Sequence, residues 1–78
     1  MKQELPALKP REVIAALQKD GFVLRRQTGS HAILYKANIQ RPLSIPIHTK
    51  DIPRGTLKAI IRQANLTISE FLKLLWIV

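Results

Sequence analysis

The chain has 78 residues, enough for one domain with a small core, because a chain this short buries only about 60% of the surface its unfolded form exposes. Hydrophobic residues make up 46% of the sequence and no stretch is of low complexity, which excludes a disordered tail. No cysteine is present, which excludes disulfide bonds and thiolate zinc sites. We therefore expect a single domain over residues 1–78, stabilised by packing or by a bound partner.

The charge of the chain is strongly positive. Thirteen Lys and Arg against five Asp and Glu give +8, which favours a polyanionic partner such as nucleic acid but also suits a surface kept basic for solubility. The distribution favours nucleic acid, because the segment from Gly21 to Lys50 contains both histidines and no acidic residue. Its basic residues are Arg25, Arg26, Lys36, Arg41 and Lys50.

Neither end of the chain predicts a contact with a membrane. Residues 1–10 lack the apolar core of a secretory signal, so we expect a cytoplasmic location. Residues 71–78 are apolar, but they are far fewer than the ~20 needed to span a bilayer, and Lys73 interrupts them. A helix docked on the core, or an interface, is the simpler interpretation of this tail.

The first half of the chain predicts a helix and then a hairpin. Pro10 suits the first turn of a helix, and an apolar stripe that stops before Gly21 predicts a helix of about Pro10 to Lys19. The stripe consists of Val13, Ile14 and Leu17. Two β-rich runs follow, Phe22 to Gln27 and His31 to Lys36, joined by turn-forming residues 28–30.

The second half predicts one more strand and two helices. Apolar and other residues alternate from Leu43 to His48, and Pro46 places this strand at an edge because it cannot donate to a sheet ladder. Apolar residues at helical spacing then predict a second helix that Asn65 can end. They are Leu57, Ile60, Ile61 and Ala64. Thr67 and Glu70 have the spacing of a capping box at the start of a third helix.

The predicted order is α-β-β-β-α-α, which indicates an α+β fold with a three-stranded antiparallel sheet. Such a sheet must cover one face with the helices and can leave the other face to solvent. We expect functional residues on that open face.

The facing of the strands decides where the two histidines lie. If the apolar residues of the third strand point into the core, His48 points outward. The second strand allows two arrangements, with either Ala32 and Leu34 or His31, Ile33 and Tyr35 in the core, and we predict the first. The first avoids burying an imidazole beside a phenol and brings His31 and His48 to one face. The alternative interpretation of His31 is a structural histidine near a turn.

Several short elements occur together in a series that resembles the HicA family of toxin ribonucleases. They are Gly21-Phe22, Gly29-Ser30-His31, Ile45-Pro46-Ile47-His48, Arg54-Gly55-Thr56-Leu57 and Ile60-Ile61-Arg62-Gln63-Ala64. The resemblance runs from about Lys9 to Leu75. Residues 76–78 extend beyond the shortest family pattern, so the resemblance does not define their role.

The resemblance implies a fold like that of the double-stranded-RNA-binding domain, α-β-β-β-α, which agrees with the order reached from periodicity. It implies a toxin that cuts mRNA with the histidine of the Gly-Ser-His element, here His31. It also implies neutralisation by a HicB-like antitoxin. We expect that antitoxin to be acidic and to cover the open sheet face, because a basic face attracts an acidic protein as readily as RNA.

RNA cleavage is chemically plausible for few groups, because RNA carries its own nucleophile in the 2′-hydroxyl. It needs a base, an acid and charge stabilisation at the phosphate, and imidazole can both take and give a proton near neutral pH. Ser30 can bind a phosphate oxygen or orient His31. The remaining predicted supporting or RNA-binding residues are Gly29, Arg26, Lys36, His48, Lys50 and Arg54.

Other chemistries fit the sequence less well. Magnesium sites need clustered carboxylates, and the five acidic residues are scattered along the chain, so we expect neither a metal nor another cofactor. Ser30 lacks the Gly-x-Ser-x-Gly setting of a hydrolase nucleophile.

Two binding functions remain as alternatives. Residues 56–75 could form a DNA-binding helix-turn-helix, but the polar face of the last helix offers Ser69, Glu70 and Lys73, and no Arg, Asn or Gln to read bases. A non-catalytic double-stranded-RNA-binding module is the closer alternative, and it would need the basic residues but not the histidine.

Overall fold

The computed structural model describes residues 5–48 and 50–76. Its elements follow the predicted order, α-β-β-β-α-α, and form the α+β arrangement of the double-stranded-RNA-binding-domain type. They are α1 (Pro10–Lys19), β1 (Val23–Gln27), β2 (His31–Tyr35), β3 (Leu43–Pro46), α2 (Arg54–Gln63) and α3 (Ile68–Trp76).

Helix α1 begins and ends where its sequence predicts. Pro10 occupies the first turn, and the Glu12 carboxylate accepts a hydrogen bond of 2.8 Å from the Lys9 backbone N–H. At the other end Gly21 has φ +105°, a left-handed conformation that favours glycine, and the Phe22 N–H reaches back to the Leu17 carbonyl. The chain therefore turns directly from α1 into the sheet.

The three strands form an antiparallel sheet in the order β1-β2-β3. Residues 32 and 34 of β2 pair with Ile45 and Leu43 of β3, and all four side chains are fully buried. The intervening residues, His31, Ile33 and Tyr35, therefore lie on the opposite face with Ser44. The predicted facing of both strands is confirmed, as is the edge position of β3.

Helix α2 passes into α3 through two adjoining caps. Asn65 has φ +62°, and the Leu66 N–H donates to the Ile61 carbonyl, which ends α2. The Thr67 N–H then donates to Glu70 Oε1 at 2.8 Å, while the Glu70 N–H donates to Thr67 Oγ1 at 3.0 Å. Both predictions, the end at Asn65 and the capping box, are confirmed.

The core lies between the helices and one face of the sheet. Helix α1 packs against α3 and β3, and α2 packs against β3 and α3, whereas all five residues of β1 are exposed. Leu5 and Leu8 are also buried in this core, and the Leu8 carbonyl accepts a hydrogen bond from the Ile52 N–H. The sequence pattern did not predict this contribution from the segment before α1.

The strands are shorter than predicted. Phe22 precedes β1 with its side chain in the core, β2 ends at Tyr35, and β3 ends at Pro46 rather than His48. Trp76 is the last residue of α3 and is 74% exposed, while the rest of the apolar tail, residues 77 and 78, lies outside the described residues. No helix within the described ranges is long and apolar enough to cross a membrane.

Candidate active site

The turn between β1 and β2 fixes the backbone of His31. The Thr28 hydroxyl accepts hydrogen bonds from the N–H groups of Ser30 (3.3 Å) and His31 (2.9 Å), and the Thr28 N–H donates to the His31 carbonyl (2.8 Å). A Cβ placed on Gly29 would meet no atom within 4 Å, so the space beside this turn is open. His31 is thus the first residue of β2, held at the rim of the sheet.

The side chain of Ser30 forms a hydrogen bond with Nδ1 of the His31 imidazole. Ser30 Oγ lies 2.9 Å from His31 Nδ1, and a hydroxyl can either donate to an unprotonated nitrogen or accept from a protonated one. The contact therefore does not require one particular tautomer of the ring. It leaves His31 Nε2 as the nitrogen available to a substrate.

His48 lies beside His31 because the chain beyond β3 continues to pair with the turn. The Ile47 N–H donates to the Ser30 carbonyl at 2.9 Å, and His48 Nδ1 lies 3.3 Å from the same oxygen. The two imidazole centroids are 6.2 Å apart at an interplanar angle of 62°. His48 is exposed and His31 half-buried, so the two rings share one solvent-facing site, as the facing of the strands predicted.

A carbonyl oxygen only accepts hydrogen bonds, so the contact of His48 with Ser30 requires a proton on His48 Nδ1. In the neutral ring the lone pair is then on Nε2. The backbone of Ser30 thus orients His48 as its side chain orients His31, and both rings have Nε2 free for chemistry.

Three of the predicted basic residues lie in three different parts of the fold. Arg26 pairs with Ile33 across β1 and β2, on the open face. Lys50 lines a cleft with Gln27, the last residue of β1, and Ile47, the residue that follows β3. Arg54 is exposed at the first position of α2.

Lys36 lies at the opposite end of β2 from His31. Its ammonium is 2.9 Å from Asp20 Oδ2, with both side chains largely covered, and 5.5 Å from the centroid of the Phe22 ring. The structure therefore does not bring Lys36 to the two histidines. Instead its ion pair joins the end of β2 to the end of α1.

Two features of the site were missed by sequence reasoning. A β-bulge interrupts the pairing of β1 with β2 between Leu24 and Arg26, and Arg25 lies over the Tyr35 ring at 5.9 Å. The cleft beside Lys50 is also lined by Lys9 and Arg11 from the start of α1. No pattern within β1 indicates the bulge, because the bulge exists only in the pairing of the two strands.

No metal centre forms in the part of the chain that the structure describes. Within residues 5–48 and 50–76, no three His, Asp or Glu side chains come together in a group that could hold a metal ion. The donors near the histidines are hydroxyl, amide and carbonyl groups. The chemistry of this donor set is that of proton transfer and hydrogen bonding.

The fold and the site together define a small basic α+β domain of the double-stranded-RNA-binding type, with two imidazoles at the rim of its open sheet face. Residues 10–66 match the model of the family described as "HicA toxin of bacterial toxin-antitoxin". This match covers most of the chain and includes both histidines, and the chain belongs to the HicA toxin family. It is therefore a toxin of a toxin–antitoxin system, and its family implies an antitoxin partner. No curated protein matches the chain.

Proposed function

We propose that this toxin is a metal-independent endoribonuclease that cleaves mRNA in the cytoplasm, as a single domain over residues 1–78, with His31 as a catalytic residue. The observation that carries the proposal is the pair of imidazoles, 6.2 Å apart and both held by Ser30. Two oriented imidazoles on an open basic face supply the base and the acid that RNA cleavage requires.

The proposed reaction uses the 2′-hydroxyl of the RNA as nucleophile. One imidazole takes the 2′-hydroxyl proton as O2′ attacks phosphorus, and the other gives a proton to O5′ as the P–O5′ bond breaks. The products are a 2′,3′-cyclic phosphate and a 5′-hydroxyl. Because Nδ1 of His48 donates to the Ser30 carbonyl, its Nε2 is suited to the role of base, which leaves His31 as the acid.

Basic residues around the pair would bind the phosphates. Arg26 lies on the open face with His31, and Lys50 lines a cleft together with Ile47, the neighbour of His48 in the sequence. Arg54 would contribute from the start of α2. Phosphate contacts of this kind position the backbone without reading its sequence.

The test is cleavage of mRNA by the wild type and by His31→Ala. We expect the variant to fold normally and to lose about 10²- to 10⁴-fold in rate, the usual contribution of one general acid or base. Ser44→Ala is the matched control, because Ser44 is exposed on the same face and pairs with Ile33 rather than contacting the rings. EDTA should leave the rate unchanged.

Two results would overturn this assignment. Normal cleavage by a folded His31→Ala protein would remove His31 from the chemistry, and activity lost in EDTA but restored by magnesium would refute the metal-independent mechanism. RNA that binds the wild type but is never cut would select the non-catalytic RNA-binding alternative, which the fold type also favours.

The same face suits a HicB-like, acidic antitoxin that blocks His31 directly. Its positive charge would speed association with an acidic protein, and Tyr35 with the half-buried Ile33 offers apolar contact area. Hydrogen exchange on the free and bound toxin tests this. We expect protection in residues 31–36 and 43–48, whereas protection confined to α3 would mean that inhibition acts from a distance.

A further inference from the structure

The β-bulge in β1 changes which side chains share the open face. Val23 pairs with Tyr35 and Arg26 pairs with Ile33, so the bulge adds one residue, Arg25, to β1 between these pairs. Strict alternation would put Arg25 and Arg26 on opposite faces. A bulge opposes two residues to one and re-aims their side chains, and here both arginines line one depression with Tyr35.

Tyr35 is not part of the core that its strand helps to form. The residue is 43% exposed, and the Arg25 guanidinium carbon lies 5.9 Å from the centroid of its ring. The depression therefore contains an aromatic ring with a planar cation over one of its faces, and it is also lined by a second arginine. Nucleic-acid bases stack on aromatic rings and on guanidinium planes, and the charges attract the phosphates on either side.

The alignment of this depression with His31 relates it to the proposed cleavage. Tyr35 and His31 face the same side of β2 four residues apart, about 13 Å at the rise of an extended strand. A base stacked on Tyr35 would therefore belong to a nucleotide further along the RNA than the one at which the chain is cut. Ile33, half-buried between them, provides an apolar floor for that path.

We infer that Tyr35, with Arg25 and Arg26, forms a stacking subsite for an unpaired base of single-stranded RNA, about 13 Å along β2 from His31. The inference rests on the proposed RNA cleavage and adds the class of substrate. Bases inside an A-form duplex are already stacked and paired, and a duplex presents mainly phosphates and 2′-hydroxyls. The subsite thus selects single strands, although the fold is of the type named for binding duplexes.

The test measures affinity for a short single-stranded RNA, using the His31→Ala background to prevent cleavage. Loss of one base–aromatic stack corresponds to about 5- to 150-fold in affinity, which is the expected effect of Tyr35→Ala. Tyr35→Phe keeps the ring and should keep the affinity. Val23→Ala is the matched control, because Val23 is the exposed residue paired directly with Tyr35.

The salt dependence separates stacking from charge. Tyr35→Ala should leave the slope of log K against log salt unchanged, whereas Arg25→Ala and Arg26→Ala should each flatten it by about 0.7 for a single strand. An RNA with one abasic position completes the test. Removing the base that stacks on Tyr35 should weaken binding to the tyrosine protein and have no further effect on Tyr35→Ala.

Unchanged single-strand affinity of Tyr35→Ala would overturn the inference, and a concurrent loss of antitoxin binding would assign Tyr35 to the protein interface instead. An equal loss of affinity for duplex RNA would also overturn it. These results are distinct from a failure of the proposed function, in which the wild type binds RNA in a Tyr35-dependent way but does not cut it. Absence of any RNA binding would refute both.

Discussion

The two ends of β2 carry groups suited to binding RNA, but the fold uses them differently. At one end His31 is held by neutral hydroxyl groups of Thr28 and Ser30, which orient it and leave Nε2 free. At the other end Lys36 is held by the carboxylate of Asp20, which neutralises its charge. His31 thus keeps Nε2 available to a ligand, whereas the charge of Lys36 is already engaged inside the protein.

The largest expected effect is on the rate of RNA cleavage and comes from removing the hydroxyl that orients His31. Ser30→Ala should lower kcat on the order of tenfold, the worth of one hydrogen bond to a positioned group, and leave KM unchanged. Ser30→Thr retains the hydroxyl and should retain most of the rate. Steady-state cleavage of a short RNA measures both constants. A rise in KM at constant kcat would mean that Ser30 binds phosphate rather than positioning the imidazole.

A smaller effect should distinguish Lys36 from Lys50. Lys36→Ala breaks the ion pair with Asp20 and should lower the free energy of unfolding by up to about 1 kcal/mol, with little effect on RNA affinity. Lys50→Ala should leave the free energy of unfolding unchanged and weaken RNA binding. It should also flatten the dependence of log K on log salt by about 0.7. Denaturant unfolding and salt titrations measure the two quantities.

Asp20→Asn is the control for this pair, since it removes the charge that engages Lys36. Its loss of stability should not add to that of Lys36→Ala in the double variant. If Lys36→Ala flattened the salt dependence as much as Lys50→Ala, Lys36 would be an RNA contact as the sequence predicts.

The smallest expected effect lies far from the histidines, at the start of α3. Hydrogen bonds from the Thr67 backbone and hydroxyl, together with the charge of Lys73, hold the pKa of Glu70 below its ordinary value of 4.5. A carboxyl whose pKa is lowered by folding contributes stability above its ordinary pKa, and this contribution is lost as the pH falls through the lowered value. The wild type should therefore lose a small increment of stability below pH 4.5.

Glu70→Gln provides the comparison for this pH dependence, because its amide cannot ionise. Thermal unfolding measured from neutral pH downward should show that the variant lacks the wild type's small loss of stability at acidic pH. RNA cleavage at neutral pH should be the same for both proteins. An identical pH dependence in the two proteins would contradict the assigned cause.

By itself the sequence determined the order of the elements and much of their detail. Periodicity over a few residues predicts α1 and α2, because the helix and the strand repeat at different spacings. Alternation leaves two facings open for β2, and the cost of burying an imidazole selects the one with Ala32 and Leu34 in the core and His31 outside it. The end of α2 at Asn65 and the box of Thr67 with Glu70 are also local, since each depends on hydrogen bonds within one or two turns.

The tertiary structure alone decided the features that depend on distant segments. The bulge at Arg25 exists only in the pairing of β1 with β2, so the facing of Arg25 and Arg26 cannot be read from alternation within β1. The partner of Lys36 lies 16 residues away, brought close by the turn at Gly21. His48 reaches His31 because the chain after β3 pairs with Ser30. In each case the deciding contact joins residues whose separation along the chain carries no periodic pattern, and only packing of the whole fold sets it.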